Sequence, residues 1–247
     1  MSIKTIEAVV LKNINYKDTD KIYTLFSKDL GKISAGAKGV RKISSKRAGN
    51  LDSLTKISVG IYESSSGKKT ITEVKNLTSY SKIKKSHVKI QRATYISELI
   101  HRHTEEDSEN NYLYNLFVRT LDILENDSID ADIAVCLFQI FFIQNLGYDL
   151  NFSKCSVCFK DFHDFKKVYF NSEFGGFICE NCFSSNFHLE TQALSKEVSN
   201  FLFAAKTTPK NIPPISSEQI REAELLLQLH LRSILERNLV SDFMLEV

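Results

Sequence analysis

No stretch of this 247-residue chain approaches the roughly 18 apolar residues that a membrane-spanning helix needs. The longest candidate, "IAVCLFQIFFIQNLG", is interrupted by Gln139 and Gln144 and reads as a buried helix. The N-terminus, "MSIKTIEAVVLKNINYKD", lacks the long apolar core and cleavage site of a secretory signal, so a cytoplasmic protein with no membrane partner is expected. Signatures of catalysis are missing too. Gly31 and Gly36 have the glycine spacing of a phosphate loop, but Ala37 stands where its lysine would be and no helix follows. There is no G-x-S-x-G and no H-E-x-x-H. His188-Leu189-Glu190 matches the H-x-E of zinc deaminases, but it follows both cysteine pairs and no proline precedes either pair. No C-x-x-C sits near a βαβ pattern, which argues against thioredoxin-like redox chemistry. A nuclease would need clustered carboxylates on a basic domain, and residues 1–92 hold only seven. These absences point to a binding protein rather than an enzyme.

What is present is a division of charge. Residues 1–92 carry 20 Lys+Arg against 7 Asp+Glu, whereas residues 93–247 carry 12 against 23. A basic first third joined to an acidic remainder suggests a polyanion-binding module followed by something else. The positive charge concentrates in "GAKGVRKISSKRAG", Gly36 to Gly49, which holds Lys38, Arg41, Lys42, Lys46 and Arg47 and no acid. Phosphates attract such cations without regard to base sequence. These five residues are the candidate nucleic-acid contacts.

The hydrophobic period changes along the chain. Residues 1–80 read as about five short strands: "TIEAVVLKNI", then "KIYTLFS" and "KISAGAKG" around "KDLG", then "LTKISVGIYES" and "KKTITEVKNLTSY" around "SSG". Five strands in this length fit a small closed barrel such as the OB-fold, with the basic stretch between the third and fourth strands. Tyr16, Tyr23, Phe26 and Tyr62 are candidates for base stacking, although alternating aromatics on strands more often face a core. From Ser81 the spacing becomes helical: "SKIKKSHVKIQRATYISELIHRH", "NNYLYNLFVRTLDILEN" and "DADIAVCLFQIFFIQNLG" read as three helices. Asp130 or Asp132 can cap the third, Gly147 can end it, and Cys136 within it reads as a packed core thiol. "EEDSE" at 105–109 reads as a solvated interhelical loop. "TQALSKEVSNFLFAAK" and "SSEQIREAELLLQLHLRSILERN" read as two more helices, the second with Ser216 and Gln219 at capping-box spacing.

Four of the five cysteines form two close pairs, Cys155-x2-Cys158 and Cys179-x2-Cys182, separated by 20 residues with Gly175-Gly176 between them. Each pair can present two thiolates to one tetrahedral ion, and the two together close the shell. One structural Zn2+ per chain is expected, since four sulfur ligands leave no position for a reacting water. His163 and His188 lie nearby but are not needed as ligands.

These features together resemble the RecO family of bacterial recombination mediators. The resemblance covers nearly the whole chain. It rests on "YKDTDKIYTLFSKDLGKISAGAKGVRKISSKRAGNLDSLTKI", on "CSVCFKDFHDFKKVYFNSEFGGFICENC" and on "LHLRSILERNLVSDFML", in that order. It implies an α+β multidomain protein: an OB-fold nucleic-acid-binding domain at 1–80, a helical domain at 81–151 and 185–247, and a zinc-binding element inserted at 152–184. It also implies a protein of the bacterial nucleoid that binds single- and double-stranded DNA and anneals complementary strands. Its implied partners are RecR and the acidic tail of single-strand binding protein, and through them RecA, loaded onto coated strands. Arg102, Arg119 and Arg221 are the helical-domain cations considered for the tail. The alternative reading is a zinc-ribbon accessory protein that binds RNA or the ribosome.

Overall fold

Alternating apolar residues in the first 78 positions form five strands because each strand has a single face to bury. The computed structural model describes residues 3–42, 48–186 and 191–235. The strands are β1 (Ile3–Tyr16), β2 (Asp20–Ser27), β3 (Gly31–Ala37), β4 (Lys56–Glu63) and β5 (Lys69–Thr78). They close into a barrel in the order β1-β2-β3-β5-β4. β1 is long enough to serve both sides: its first half pairs with β4 and its second half with β2, and the register shifts between Val10 and Lys12. That bulge bends the strand around the barrel. Ile6, Ala8 and Val10, Tyr23 and Leu25, Ile33 and Ala35, and Ile57, Val59 and Ile61 fill the interior, with Val40 and Leu51 packed among them.

Closure between β3 and β5 rests on a single parallel bridge, Gly36 to Thr70. The first half of β3 is covered instead by the segment 104–110. Lys32 forms a parallel bridge with Glu106, and the Asp107 N–H donates to the Lys32 carbonyl at 2.8 Å. Lys69 pairs with Asp107 at 2.8 Å. The interhelical loop at 105–109 is solvent-exposed, as expected, and is in addition bonded along β3. Lys32, only 7% exposed, donates its ammonium to the carbonyls of His101 (2.7 Å) and Thr104. Gly31 makes the approach possible: its φ is +65°, and a Cβ there would lie 1.8 Å from the Ser108 carbonyl oxygen.

Three helices complete this unit: α1 (Ser81–Lys85), α2 (His87–His103) and α3 (Asn111–Asn126). The sequence periodicity suggests one helix over the first two, but Ser86 adopts an extended conformation and caps α2 by accepting from the Lys89 N–H. Phe26 leaves the barrel's outer face to pack against Tyr114 and Phe117 of α3. These elements lie within Met1–Ser128, one of two compact units; the other is Ile129–Asn238.

The second unit is built on α4 (Ala131–Asn145), which buries residues on every side. Asp130 caps it by accepting from the N–H groups of Asp132 and Ile133, and Gly147 ends it at φ +91°. α6 (Lys196–Thr207) and α7 (Ser217–Leu235) pack on α4. Ser216 and Gln219 form the expected reciprocal cap on α7. Cys136 is buried, its sulfur 4.0 Å from the Ile220 carbonyl. Between α4 and α6 lie β6 (Val168–Asn171), β7 (Gly176–Cys179), α5 (Glu180–Asn186) and β8 (Thr191–Leu194). β8 corrects the expectation of one helix over 191–206. Its four residues pair with β6, and the helix begins only after Ser195, whose hydroxyl accepts from the Val198 N–H. Pairing to a distant strand has overridden local periodicity.

Candidate nucleic-acid interface and metal centre

The basic stretch begins where β3 leaves the barrel. Val40 plugs the core, and main-chain bonds pin the residues around it to the β1–β2 hairpin tip. The Gly39 N–H donates to Asp20 Oδ1 at 2.8 Å, and the Arg41 N–H donates to the Thr19 carbonyl at 3.0 Å. The Gly39 bond is the main reason the Asp20 carboxyl sits below its ordinary pKa. Lys38, Arg41 and Lys42 are thus exposed beside the hairpin tip, with the Arg41 guanidinium 3.4 Å from the Lys17 carbonyl. Lys46 and Arg47 lie outside the described residues.

The four candidate stacking aromatics separate into two kinds. Tyr23 is 2% exposed and faces the barrel core, and Phe26 is fully buried against α3. Neither has a ring face for a base. Tyr16 is 42% exposed, with the Lys17 ammonium 5.5 Å from its ring centre, and Tyr62 is half-buried.

Strand register places Tyr62 in a row that sequence reasoning missed. Ile3 pairs with Tyr62, Tyr62 with Thr70, Thr70 with Gly36, Gly36 with Ile22 and Ile22 with Ile14. Laterally paired residues share a face, and their inward neighbours fix this one as the outer face. Ile3 and Ile14 are exposed and Ile22 is half-exposed, so an apolar belt crosses one end of the barrel. At Gly36 it is bare backbone. Tyr16 continues the face two residues beyond Ile14, and Lys38 follows Gly36 by two. Apolar and aromatic side chains flanked by cations can stack bases and hold phosphates at once. The signal lay in the isoleucines, but one apolar residue in two along a strand is what any core predicts.

The four paired cysteines converge in the second unit. Their sulfur atoms all lie within 4.8 Å of one another, and the Cys158 and Cys179 sulfurs are 3.7 Å apart. Tetrahedral zinc with a Zn–S distance of about 2.3 Å requires sulfur separations of about 3.8 Å. The donor set and its spacing therefore fit one such ion. Among the described residues, no histidine or carboxylate joins the group. His163 is exposed, and His188 lies outside the described residues.

Local structure shapes each half of the cage. After Cys155 the chain turns back tightly: the Phe159 N–H donates to the Cys155 carbonyl at 3.0 Å, with Phe159 at φ +61°. Cys179 ends β7 and Cys182 falls in the first turn of α5. The two halves meet over Gly176, where a Cβ would lie 2.5 Å from Ser156 Oγ and 2.6 Å from the Asn151 carbonyl oxygen. Burial opposes ionisation of Cys155, yet the N–H groups of Cys158, Cys179 and Val157 turned toward its sulfur bring the thiol down to about 7. Burial pushes Cys179 and Cys182 up. Four such sulfurs can hold a metal ion and have no other evident task.

Comparison with known proteins accords with this layout. The family model for the N-terminal part of recombination protein O matches residues 1–80, and that for its C-terminal part matches residues 88–242. The chain is similar to the DNA repair protein RecO of Caldanaerobacter subterraneus subsp. tengcongensis, at 29% identity over 98% of this chain and 97% of the relative. Its similarity to the protein of the same name from Clostridium novyi is 28% over 93% and 88%. For the one from Bacillus pumilus it is 31% over 75% and 70%. Among the described residues no helix is long and apolar enough to cross a membrane.

Proposed function

Because the chain belongs to the recombination protein O family of DNA repair proteins, we propose that it acts as a non-enzymatic mediator that binds single- and double-stranded DNA on its barrel and anneals complementary strands. The observation that carries this reading is the outer-face belt of Ile3, Ile14, Ile22 and Tyr62, continued by Tyr16 and bordered by Lys38, Arg41 and Lys42. Lys46 and Arg47 extend the cationic border in sequence. A strand laid across the belt would place phosphates on the cations and bases on the apolar faces. Annealing follows from neutralising two strands that otherwise repel, with contacts that do not depend on sequence.

In this reading the mediator works with RecR and with the acidic tail of single-strand binding protein to help load RecA onto coated strands. The Cys155, Cys158, Cys179 and Cys182 cage holds one Zn2+, which supplies a crosslink between the two halves of the element and no reacting group. The test is a fluorescence-transfer annealing assay with complementary oligonucleotides. The protein should accelerate annealing and bind DNA at least as well as RNA of the same sequence. Preference for RNA, with no annealing of DNA, would refute the reading and favour a role on RNA or the ribosome.

A further inference from the structure

Thr94, Ser97, Glu98, His101 and Arg102 recur at the spacing that puts residues on one face of α2, and all five are polar. Such a stripe is expected to meet only solvent. Here it stands against β1 and, with Leu11 and Lys12, walls a recess of about 360 Å³. Leu11 and Lys12 belong to the β1 bulge, and strand and helix lie in the same compact unit. Two of the polar groups lining the recess lack partners. Ser97 is 5% exposed, and among the described residues its hydroxyl has no hydrogen bond. His101 Nδ1 is shut off from solvent and has none either. Buried polar atoms are normally matched, so two unmatched ones in one recess fit a ligand that bonds to both.

The electrostatics say which ligand. The principal charges acting on the His101 imidazole are those of Lys12, Lys32 and Arg102, against Glu98 alone. Three positive charges minus one negative leave a surplus of two. Lys32 is held by the carbonyls of His101 and Thr104, and Arg102 is paired with Glu98 at 2.7 Å. Lys12 is exposed, and its ammonium has no hydrogen bond or ion pair among the described residues. Burial first, and then the three cations, hold His101 below its ordinary pKa. A metal cation suits this field badly, since the one carboxylate lining the recess is already paired. A nucleic-acid backbone brings one negative charge per phosphate diester. A phosphate monoester carries about −1.5 to −2 at neutral pH, which matches the surplus more closely. The volume suits a small molecule.

We propose that the recess between the β1 bulge and α2 binds a small ligand through a dianionic phosphate group, with Lys12, Ser97 and His101 as its contacts. This site is separate from strand binding on the apolar belt and does not depend on it. The probe is inorganic phosphate, titrated at neutral pH into the isotope-labelled full chain, with sodium chloride adjusted to keep the ionic strength constant. Nuclear magnetic resonance follows the imidazoles, and His101→Gln identifies the relevant signal. That signal should move along a saturating curve. The His101 pKa should rise in the bound state, because a neighbouring anion favours the imidazolium. Lys12→Gln and Ser97→Ala together should weaken binding by about tenfold or more, and Lys12→Arg should retain it. Dimethyl phosphate, a monoanionic diester, should bind more weakly than phosphate. A dT oligonucleotide without a terminal phosphate should not reverse the shift. Circular dichroism checks the fold of each variant. The proposal is overturned by a linear response, as for an adventitious ion, or by equal binding to the double variant. It is also overturned by equal binding of dimethyl phosphate, or by reversal with dT, which would make the recess part of a strand's path. The phosphate titration contains no DNA, so its failure does not bear on strand binding by the barrel.

Discussion

Replacing Lys38, Arg41 and Lys42 together by alanine should alter how strongly salt opposes DNA binding, and by a calculable amount. Each single-strand phosphate contact contributes about 0.7 to the log–log salt slope, so five cations give about 3.5. Raising salt from about 50 to about 200 mM then lowers the native protein's affinity about 130-fold. With Lys46 and Arg47 left, the slope falls to about 1.4 and the same change costs about sevenfold. The substitutions should leave the fold of the loop intact. The loop's base is held by the Gly39 and Arg41 main-chain N–H groups, which alanine keeps, and Val40 still fills the core. At Arg41, alanine gives up the 3.4 Å approach of the guanidinium to the Lys17 carbonyl, an exposed interaction. Stability should move by no more than about 0.5 kcal/mol. Anisotropy titrations of a labelled dT oligonucleotide at several salt concentrations supply both slopes. Equal slopes in the two proteins would refute the assignment and leave the loop a solvated surface feature.

On the barrel, Tyr16→Ala should weaken dT binding by about 1–3 kcal/mol, the range for loss of one stacking platform; equal affinity in a titration removes Tyr16 from the interface. Protein purified without chelator should contain one zinc per chain by elemental analysis, and Cys158→Ser should lower that ratio; a metal-free chain with four freely titrating thiols contradicts the cage. Lys32→Met keeps the stem but strands the His101 and Thr104 carbonyls, at a cost of about 1–3 kcal/mol in urea unfolding; an unchanged midpoint would show that water replaces the ammonium. Glu7 is held below its ordinary value of 4.5, first by the hydrogen bond from Lys56 and also by the Tyr114 hydroxyl, while burial opposes. A depressed folded pKa stabilises above the ordinary value, and that stabilisation is lost as pH falls through the folded one. Glu7 is part-exposed, so the gap in stability between wild type and Glu7→Gln should be under about 1 kcal/mol at neutral pH and close as the solution is acidified below the ordinary value; a gap that widens in acid would contradict the sign.

Much of the fold was legible because the sequence repeats its instructions. The five strands show alternation and turn glycines, α4 has its aspartate cap and terminal glycine, and α7 has its capping box. The cysteine cluster was legible because two C-x-x-C pairs need little context. What was not legible depended on partners far along the chain. "TQAL" has no local reason to be a strand until β6 lies beside it. Tyr23 and Phe26 looked like Tyr16 and Tyr62, since residue type does not say which side of a strand will be covered. Tyr23 points into the closed barrel, and Phe26 points outward but meets α3, a helix distant in sequence.

The acidic run at 105–109 shows how the two charge populations divide their work. A barrel closed by one bridge between β3 and β5 leaves the first half of β3 with unpaired main-chain groups, an edge that invites wrong pairing. Glu106 and Asp107 occupy that edge by main-chain bonding to Lys32, and their carboxylates reach Ser34 and Lys69. Two lysines of the basic barrel are thereby committed to structure: Lys32 buried against helix carbonyls, Lys69 paired with Asp107. Beyond Gly36 the chain turns instead to the β1–β2 hairpin tip, held there by main-chain groups, and Lys38, Arg41 and Lys42 stand exposed. Net charge alone would have counted all of them as one surface. Place in the fold separates them: Lys32 on β3 and Lys69 at the start of β5 help hold the barrel shut, whereas Lys38, Arg41 and Lys42, past the end of β3, face solvent.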